Sequence, residues 1–423
     1  MLTWESRLIV GKYKPFVVAV TGSVGKTSTK DAIYEVLKGH KGFVRKSDKS
    51  FNSEFGLPLT VIGVPTAWRN MSGWVSNIAA GLRLIFRRCE YPDCLVLEIG
   101  ADHPGDIRRV VKWLRPDVSV ITRISKTPVH VEFFKSPDEV FEEKACLATG
   151  VKNGGTIILF ADDENTLTIV DSVKGRDVST ISYGIHGDAT MRGSDMKVLY
   201  ADGAPVGMSF DIYLDGTATN VSIKGVIGAP FMYPLLAAAA VGRASGIDTA
   251  FIVRSLESYQ APKGRMNLIP GVNGSTIIDD TYNSSPDAVL AALDVMKGIE
   301  CTGSKIAVLG DMMELGKFAG AEHRKIGVAA ASVVSRLVTV GQRSKLTAEE
   351  ALKAGMNADS VKLFDSSREA AEYLKGIVKT GDVILVKGSQ SVRMERISAA
   401  LLREPEKAAK LLVRQEEEWL AKL

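Results

Sequence analysis

The sequence predicts an α/β protein with a P-loop-type central domain, whose mainly parallel sheet carries a small antiparallel β flap, followed by a Rossmann-like C-terminal α/β domain. Three observations lead to this prediction. The chain has 423 residues, more than one hydrophobic core usually organises. Short runs rich in Val and Ile alternate with helical patterns, which is typical of parallel sheets covered by helices. That alternation stops near residue 180 and restarts near residue 270.

The first half of the chain supplies the predicted strands of the central domain. A helical pattern follows each of them, as over residues 137–149. From 179 to 225 the pattern changes to short alternating segments broken by Gly and Asp, which is typical of antiparallel hairpins. An Ala-rich helix then runs from 233 to 245. The predicted strands of the central sheet are 16–20, 95–99, 118–124 and 156–160, and those of the flap include 208–214 and 218–224.

The alternation restarts after the stretch Ala-Pro-Lys-Gly at 261–264, which is typical of a linker. The predicted strands of the C-terminal domain are 275–279, 305–309, 336–340, 361–364 and 382–386. We therefore predict four parts: a short segment 1–14, a central domain 15–260, a C-terminal domain 261–405 and a charged amphipathic helix 406–423.

Composition excludes several classes of protein. With 45% hydrophobic and 24% charged residues, the chain is neither disordered nor collagen-like. Lys and Arg outnumber Asp and Glu by only 53 to 49, so nothing predicts nucleic acid as a partner. The four cysteines form no CxxC pair. No apolar run reaches the roughly 18 residues of a transmembrane segment or resembles a secretory signal. We therefore predict a cytoplasmic protein with reduced thiols.

A glycine-rich turn joins the first predicted strand to a helix that begins near Lys26. Glycines let backbone N–H groups approach phosphate oxygens, and the helix N-terminus adds positive potential. Lys26 would reach the terminal phosphates, and Thr27 offers a hydroxyl to Mg²⁺. The spacing departs from the common GxxxxGK[ST] motif, because Gly22 stands three residues before Gly25, whereas the first glycine of that motif stands five residues before the second. The candidate phosphate-binding residues are Gly22, Ser23, Val24, Gly25, Lys26, Thr27 and Ser28.

Three more residues are of interest beside this turn. Glu98 ends the second predicted strand, at the sheet edge where α/β proteins bind ligands, and its carboxylate suits Mg²⁺. His130 follows the next strand, and Lys144 lies in a predicted helix. Taken singly, each is more often structural or solvated; together with the phosphate turn they become candidates. In the C-terminal domain, polar loops at 279–286, 309–316 and 387–389 follow three strands and predict a second ligand-binding face.

Together these motifs resemble the Mur ligase family, and most closely its D-alanyl-D-alanine-adding branch. The resemblance spans residues 15 to 400. It rests on the order of the segments TGSVGKTS, FNSEFGLPLT, LVLEIGADHPGDI, Lys144 after His130, GRMNLIPG, DDTYNSSPDA, LGDMMELG and VKGS.

The resemblance implies roles for the candidate residues. The phosphate turn would bind ATP, and Thr27 and Glu98 would hold one Mg²⁺. His130 and a carbamylated Lys144 would serve a second Mg²⁺, since carbamylation turns the amine into the anionic oxygen ligand that Mg²⁺ prefers. The implied catalytic residues are Lys26, His130 and Lys144; the implied nucleotide contacts from the C-terminal domain are Arg265, Asp280, Tyr282 and Asn283; the implied substrate-orienting residues are Asp311, Glu314, Lys387 and Ser389.

The implied chemistry is ATP-dependent, ADP-forming amide synthesis for peptidoglycan precursors. An acceptor carboxylate attacks the γ-phosphate to form an acyl phosphate, and an amine then displaces phosphate. Two Mg²⁺ ions and Lys26 neutralise charge on the transferring group, and closure of the C-terminal domain excludes water. The partners are therefore a dipeptide amine, D-alanyl-D-alanine or a similar one, and a small-molecule or lipid-linked peptide acceptor.

The sequence departs from the family pattern in three places. Relatives carry a uridine-nucleotide-binding domain before the phosphate turn, whereas Lys26 stands near the start here; we expect that domain to be lost or supplied by a partner. The family's adenine-contacting GxHNxxN stretch reads GAPFMYP at 228–234, so adenine recognition differs or catalysis is impaired. Residues 65–92 look inserted, and their core from Trp74 to Arg88 predicts a basic helix with a broad apolar face. It either packs on the sheet or contacts lipid headgroups or a lipid-linked acceptor.

Two alternative functions stay open. The chain could be a Mur-like ligase for another carboxylate, of cofactor or polyglutamate type. It could also be a non-catalytic ATP-binding assembly protein, although the retained Lys26, Glu98, His130 and Lys144 argue against that function.

Overall fold

The computed structural model describes residues 1–47, 56–68, 70–124, 134, 136–214 and 216–421. Up to residue 260 the elements are α1 (Leu2–Tyr13), β1 (Phe16–Thr21), α2 (Lys26–Leu37), β2 (Val44–Lys46), α3 (Gly56–Ile62), α4 (Met71–Phe86), β3 (Cys94–Glu98), α5 (Asp106–Leu114), β4 (Val118–Ile121), α6 (Pro137–Thr149), β5 (Gly155–Phe160), α7 (Glu164–Leu167), β6 (Val178–Gly184), β7 (Met191–Ala201), β8 (Ala204–Leu214), β9 (Thr217–Lys224), α8 (Ala229–Ala244) and α9 (Thr249–Glu257). After it come β10 (Asn267–Pro270), β11 (Thr276–Asp280), α10 (Pro286–Gly298), β12 (Lys305–Gly310), α11 (Ala319–Ala331), β13 (Arg336–Val340), α12 (Lys345–Lys353), β14 (Val361–Phe364), α13 (Ser367–Ile377), β15 (Val383–Lys387), α14 (Glu395–Ala400), α15 (Ala408–Leu411) and α16 (Glu417–Leu420).

The first sheet contains nine strands in the order β2-β3-β1-β4-β5-β6-β7-β8-β9. The pairs from β2 to β7 are parallel. Only Asp202 and Gly203 separate β7 from β8, and both have positive φ (51° and 78°), as in a two-residue hairpin turn. A connection this short joins antiparallel strands. The fold class is therefore the predicted one, a mainly parallel sheet with a small antiparallel extension.

The central strands of this sheet are buried along almost their whole length. Apolar runs form such strands because helices cover both faces of a parallel sheet. The core of this region packs strand residues such as Val17 and Leu97 against Ile107 of α5 and Leu147 of α6. The carboxyl ends of β1 and β3 lie side by side, with Val20 opposite Glu98.

The second sheet contains six strands in the order β10-β11-β15-β12-β13-β14. Only β10 is antiparallel to its neighbour. Its core packs Val308 and Ile384 of the strands against Leu374 of α13 and Ile397 of α14. The parallel strands all end at one edge, which carries the three polar loops singled out in the sequence.

The chain divides into two compact units, each with its own core. The first comprises residues 1–195, 210–221 and 230–259, and the second comprises 196–209, 222–229 and 260–423.

The predicted C-terminal helix over residues 406–423 is wrong as a single element. Two short helices, α15 and α16, flank a non-helical segment in which Arg414 has φ 57°. Arg414 is buried and donates hydrogen bonds to the carbonyl of Thr281 and to the carboxylate of Glu395. These tertiary bonds override the local helix propensity of the tail.

The predicted basic helix over 74–88 forms as α4. Its buried residues, Asn77 and Gly81, lie on the side that packs against α1 and α3. Among the described residues, none of the helices combines the length and apolar character needed to cross a bilayer.

Candidate active site

The phosphate turn lies between the carboxyl end of β1 and the first residue of α2. Gly22 and Gly25 have φ values of 144° and 86°, in the region that favours glycine. A Cβ at Gly22 would lie 2.0 Å from the Thr122 hydroxyl oxygen, so no larger residue fits. The amides of Ser23 and Val24 donate to the carbonyl of Arg123, at 2.8 and 3.2 Å. The turn is thereby tied to the end of β4.

Two lysine amines converge on this turn. Lys26 Nζ and Lys144 Nζ each donate to the carbonyl oxygen of Gly22, at 3.1 Å. The Lys144 side chain is only 5% exposed. Burial, with the charge of Lys26 as a second cause, lowers the pKa of Lys144 to about 7. Near neutral pH this amine is therefore partly uncharged, unlike a solvated lysine.

Glu98 and Thr27 form an oxygen pair beside the amines. The Thr27 hydroxyl donates to Glu98 Oε2 at 2.9 Å, and the Glu98 carboxylate is buried at the end of β3. A hydroxyl oxygen and a carboxylate oxygen are the donors that Mg²⁺ prefers, so this pair fits a magnesium ion.

Lys30 and Ser47 complete this part of the site, and sequence reasoning missed both. Lys30 Nζ lies 4.0 Å from Glu98 Oε2 and donates to the carbonyl of Ser47 at 2.8 Å. The Ser47 hydroxyl accepts the amide N–H of Glu98 at 3.1 Å. Lys30 stands one helical turn after Lys26, a spacing that predicts a shared helix face. No sequence signal distinguishes Ser47.

Glu143 fixes the helix that carries Lys144. Its Oε1 accepts the amides of Ile107 and Arg108, at 2.7 and 3.0 Å, in the first turn of α5. A carboxylate at this position satisfies free N–H groups and interacts favourably with the helix dipole. The contact locks α5 and α6 together and so positions Lys144.

Some predicted residues cannot be located in this way. His130 and residues 51–55 of the FNSEFGLPLT motif lie outside the described residues. Within the described ranges, His, Cys, Asp and Glu side chains form no cluster of three that would hold a metal ion.

The second unit brings together Asp280, Lys387 and Asn283. Asp280 and Lys387 are opposite each other at the ends of β11 and β15, and their side chains form a buried ion pair of 2.7 Å. Lys387 Nζ also donates to the carbonyl of Asn283 at 3.0 Å. The Arg265 guanidinium lies 4.2 Å from the centre of the Tyr282 ring, a cation–π contact.

Asp311 and Ser389 join the loops after β12 and β15. The Ser389 amide donates to the Asp311 carbonyl at 3.0 Å, and the Ser389 hydroxyl accepts the amide of Met313 at 2.9 Å. Asp311 Oδ1 accepts the amide of Ser344 at 2.7 Å. Glu314 is exposed at φ 64°. In this structure Asp311 and Ser389 therefore hold the loops in place.

Arg414 is another residue that the sequence did not single out. It donates to the carbonyls of Thr281 and Tyr282 and thereby supports the loop after β11. The charge pattern of the tail predicts a solvent-exposed helix, so no sequence feature distinguishes Arg414 from its neighbours as a buried residue.

The segment at 228–234, which lacks the expected His and Asn, begins α8. The Tyr233 hydroxyl donates to Asp162 Oδ2 at 2.9 Å, and its ring meets that of Phe160 edge-on at 4.9 Å. Tyr233 is thus engaged within the first unit.

Comparison with known proteins agrees with this architecture. The sequence model for the Mur ligase middle domain matches residues 20–242, and that for the Mur ligase glutamate ligase domain matches residues 264–390. The UDP-N-acetylmuramoyl-tripeptide--D-alanyl-D-alanine ligase of Bacillus subtilis is 29% identical over 92% of this chain and 76% of its own length. The enzyme of the same name from Mycobacterium tuberculosis strain CDC 1551 is 30% identical over 91% of this chain and 72% of its own length. The crystal structure of the MurF ligase from Thermotoga maritima, a complex with ADP, superposes with a TM-score of 0.77 at 26% identity, covering 96% of this chain and 84% of that one. With a middle-domain match over more than half of its length, this chain belongs to the Mur ligase family.

Proposed function

We propose that this protein is an ATP-dependent, ADP-forming amide ligase of peptidoglycan precursor synthesis. It joins the amine of D-alanyl-D-alanine to the peptide carboxylate of UDP-N-acetylmuramoyl-tripeptide, as the names of its relatives describe. The observation that carries this proposal is the convergence of Lys26 and Lys144 on the Gly22 carbonyl, beside the Thr27–Glu98 pair.

The reaction needs charge neutralisation more than it needs acid–base chemistry. An acceptor carboxylate oxygen bonds to the γ-phosphorus while the bond to the β-phosphate oxygen breaks, and the amine then attacks the acyl carbon and expels phosphate. Lys26 would offset negative charge at the transferring group. Mg²⁺, held by the oxygens of Thr27 and Glu98, would supply further positive charge when bound.

Lys144 is assigned a carbamylated state in the active protein. Its uncharged amine adds to carbon dioxide, the N–C bond forms and one proton is released, so a neutral amine becomes an anionic oxygen ligand. Only an uncharged amine can react in this way, and the buried amine has a pKa of about 7. The carbamate would serve a second Mg²⁺ together with His130.

The second unit is assigned contacts with nucleotide and substrate. Arg265, Asp280, Tyr282 and Asn283 would contact the nucleotide, and Asp311, Glu314, Lys387 and Ser389 would orient substrate. The buried Asp280–Lys387 pair supports a preformed arrangement of these loops.

The decisive experiment is phosphate release with ATP, Mg²⁺, D-alanyl-D-alanine and the uridine-linked tripeptide. Lys26→Ala should lower turnover about 10²-fold or more, because one preorganised charge at the reacting group is typically worth that much. Lys38→Ala, which removes an exposed lysine at the end of the same helix, is the matched control and should be unchanged. Near-normal ligation by folded Lys26→Ala would contradict the phosphate-binding assignment.

The same assay separates the acceptors. We propose cytoplasmic ligation, either of the uridine-linked peptide, with a partner supplying contacts to the uridine nucleotide, or of a lipid-linked peptide. Exposed apolar and basic side chains of α4 support the lipid-linked form. A screen of amine and carboxylate pairs identifies a ligase for another acceptor. Absence of phosphate release with every pair, despite ATP binding, would identify a non-catalytic assembly protein.

A further inference from the structure

Helix α4 presents a row of apolar side chains to solvent. Met71, Val75 and Phe86 are 77%, 65% and 78% exposed, and Ile78 and Leu82 between them are partly exposed. At 100° per residue, these five positions fall within about 80° around the helix axis. They form one stripe, which we name the α4 stripe. It lies well away from Asn77 and Gly81, the buried positions of the helix.

Trp68, just before α4, is a solvent-exposed tryptophan. Its indole is 83% exposed, and its backbone has φ 46°. A bulky residue in this region is strained. The backbone is nevertheless held, because Trp74 Nε1 donates to the Trp68 carbonyl at 3.0 Å. The structure therefore holds the backbone of Trp68 just before the α4 stripe in sequence and leaves its side chain exposed.

The charge around the α4 stripe is mainly positive, and the nearest exposed acids after α4 in sequence are Glu90 and Asp93. The sequence of α4 contains no acidic residue, and the single acid of the neighbouring helix α1, Glu5, is fully buried. The exposed cations of α1, α4 and the residues that follow them are Arg7, Lys12, Lys14, Arg83, Arg87 and Arg88. Helix α1 also exposes the apolar side chains of Trp4 and Leu8, and its N-cap residue, Met1, is exposed as well.

This combination fits a lipid surface better than a protein partner. Interfacial helices combine apolar and aromatic side chains with Lys and Arg, and a mainly basic surface complements anionic lipid phosphates. Long basic side chains can reach lipid phosphates while their apolar stems stay with the hydrocarbon. With 16 residues, α4 is too short to span a bilayer of about 30 Å, so it would lie in the plane of the interface.

We propose that the α4 stripe and Trp68, with the surrounding cations, dock this protein on the surface of a bilayer that contains anionic lipids. The docking does not rest on the proposed ligase activity, because it involves no residue of the candidate active site. It would bring the enzyme to the membrane where a lipid-linked acceptor would reside.

Co-sedimentation of the full chain with vesicles tests the proposal. Vesicles of phosphatidylcholine with 30% phosphatidylglycerol should bind at least about tenfold more tightly than pure phosphatidylcholine, since each cation near an anionic surface contributes about 1 kcal/mol, or roughly a factor of five. Raising the salt to 0.5 M should weaken the binding, because the Debye length falls to a few ångströms. On binding, brominated lipids should quench tryptophan fluorescence, and Trp68→Phe should remove more of that quenching than Trp419→Phe.

Matched variants locate the surface. Val75→Glu and Phe86→Glu should each lower the partition coefficient about tenfold or more, because they bring a charge into the apolar layer. Val328→Glu alters a similarly exposed valine on α11 and should leave binding unchanged. Arg88→Glu should weaken binding to anionic vesicles, whereas Lys410→Glu, at an exposed lysine of α15, should not.

Three results would overturn the proposal. The first is failure of the unaltered protein to bind anionic vesicles at low salt. The second is binding that Val75→Glu, Phe86→Glu and Val328→Glu affect equally. The third is a concentration-dependent dimer in the absence of lipid that Phe86→Glu dissociates, which would assign the α4 stripe to a second copy of the chain.

Discussion

At the scale of single residues, the buried environment of Lys144 suits the carbamate proposed for it. Burial shields the Lys144 amine from water, while Lys26 adds a second positive charge nearby. A lysine that must carry a carbamate has to be uncharged when carbon dioxide arrives, and this environment disfavours the ammonium. The carbamate, once formed, would place a negative charge beside Lys26 instead of a positive one.

We predict that Lys144→Ala loses activity by about 10²-fold or more and that formate or acetate partly restores it. The small acid would supply the missing oxygen ligand. Phosphate release measured against increasing acid concentration tests this prediction. Lys152→Ala, at a partly exposed lysine shortly after the same helix, is the control and should neither lose activity nor respond to acid. Full activity of Lys144→Ala without added acid would contradict the role.

Glu5 is a buried carboxyl group without a chemical role. Within the part of the chain that the structure describes, neither of its oxygens has a hydrogen-bond partner, and burial raises its pKa above the usual value of 4.5. The carboxyl group therefore binds its proton more tightly in the folded protein than in the unfolded chain. The unfolded chain releases the proton at lower pH, so Glu5 reduces the free energy of unfolding progressively as the pH rises above about 4.5.

We predict that Glu5→Gln raises the urea midpoint at pH 7 to 8 and has little effect near pH 4. The amide keeps the shape of the side chain but cannot ionise. Urea denaturation across this pH range is the measurement, with Glu90→Gln, at an exposed acid, as the control. If Glu5→Gln raises the urea midpoint equally at pH 4 and at pH 7 to 8, the stabilisation comes from packing and not from the loss of an ionisable group.

At the scale of elements, Lys12 joins α1 to the end of α4. Its ammonium donates to the carbonyls of Leu84, Ile85 and Arg87, at 2.8, 2.9 and 2.6 Å. The last carbonyls of a helix have no partner within the helix, and a cation there also interacts favourably with the helix dipole. Lys12 therefore caps α4 from a neighbouring helix.

We predict that Lys12→Met destabilises the protein by about 1 kcal/mol, since the apolar stem remains while the capping charge is lost. Chemical denaturation measures the change. Lys14→Met removes another exposed lysine just after α1 and should cost much less. If the two variants lose stability equally, the capping contacts of Lys12 do not matter.

The strands and the first half of the site were predictable from sequence for a shared physical reason. Buried parallel strands must be apolar, so β1, β3 and β12 appear as uninterrupted apolar runs, and ligand-binding groups follow directly at their carboxyl ends. Lys26 and Glu98 were found in this way. Lys144 needed the family resemblance, because spacing alone does not bring α6 to the phosphate turn.

The tail and the supporting residues were not predictable, because their conformations depend on distant partners. The backbone of Arg414 has a non-helical φ, and its side chain donates hydrogen bonds to residues more than a hundred positions away. Ser47 supports Glu98 from the position directly after β2, without any sequence pattern of its own. Local sequence encodes local preference, whereas these residues are fixed by tertiary hydrogen bonds.

At the scale of the whole molecule, the two units have separate hydrophobic cores. Leu97 belongs to the core of the first unit and Leu374 to that of the second, and both are fully buried. Truncating a buried leucine to alanine typically costs about 2–5 kcal/mol, through lost transfer free energy and the cavity left behind. Chains with more than one core often depart from two-state unfolding.

We therefore predict two calorimetric transitions. Leu97→Ala should lower the midpoint of one of them, and Leu374→Ala should lower that of the other. ATP with Mg²⁺ should raise the midpoint of the transition that Leu97→Ala lowers, because Lys26 and the phosphate turn belong to that unit. At a ligand concentration of 100 times Kd, the free energy of unfolding of that unit should rise by about 2.7 kcal/mol. Lys26→Ala should remove most of this shift without moving the midpoint measured in the absence of nucleotide. A single transition that both leucine variants lower equally would show instead that the two cores unfold as one cooperative unit.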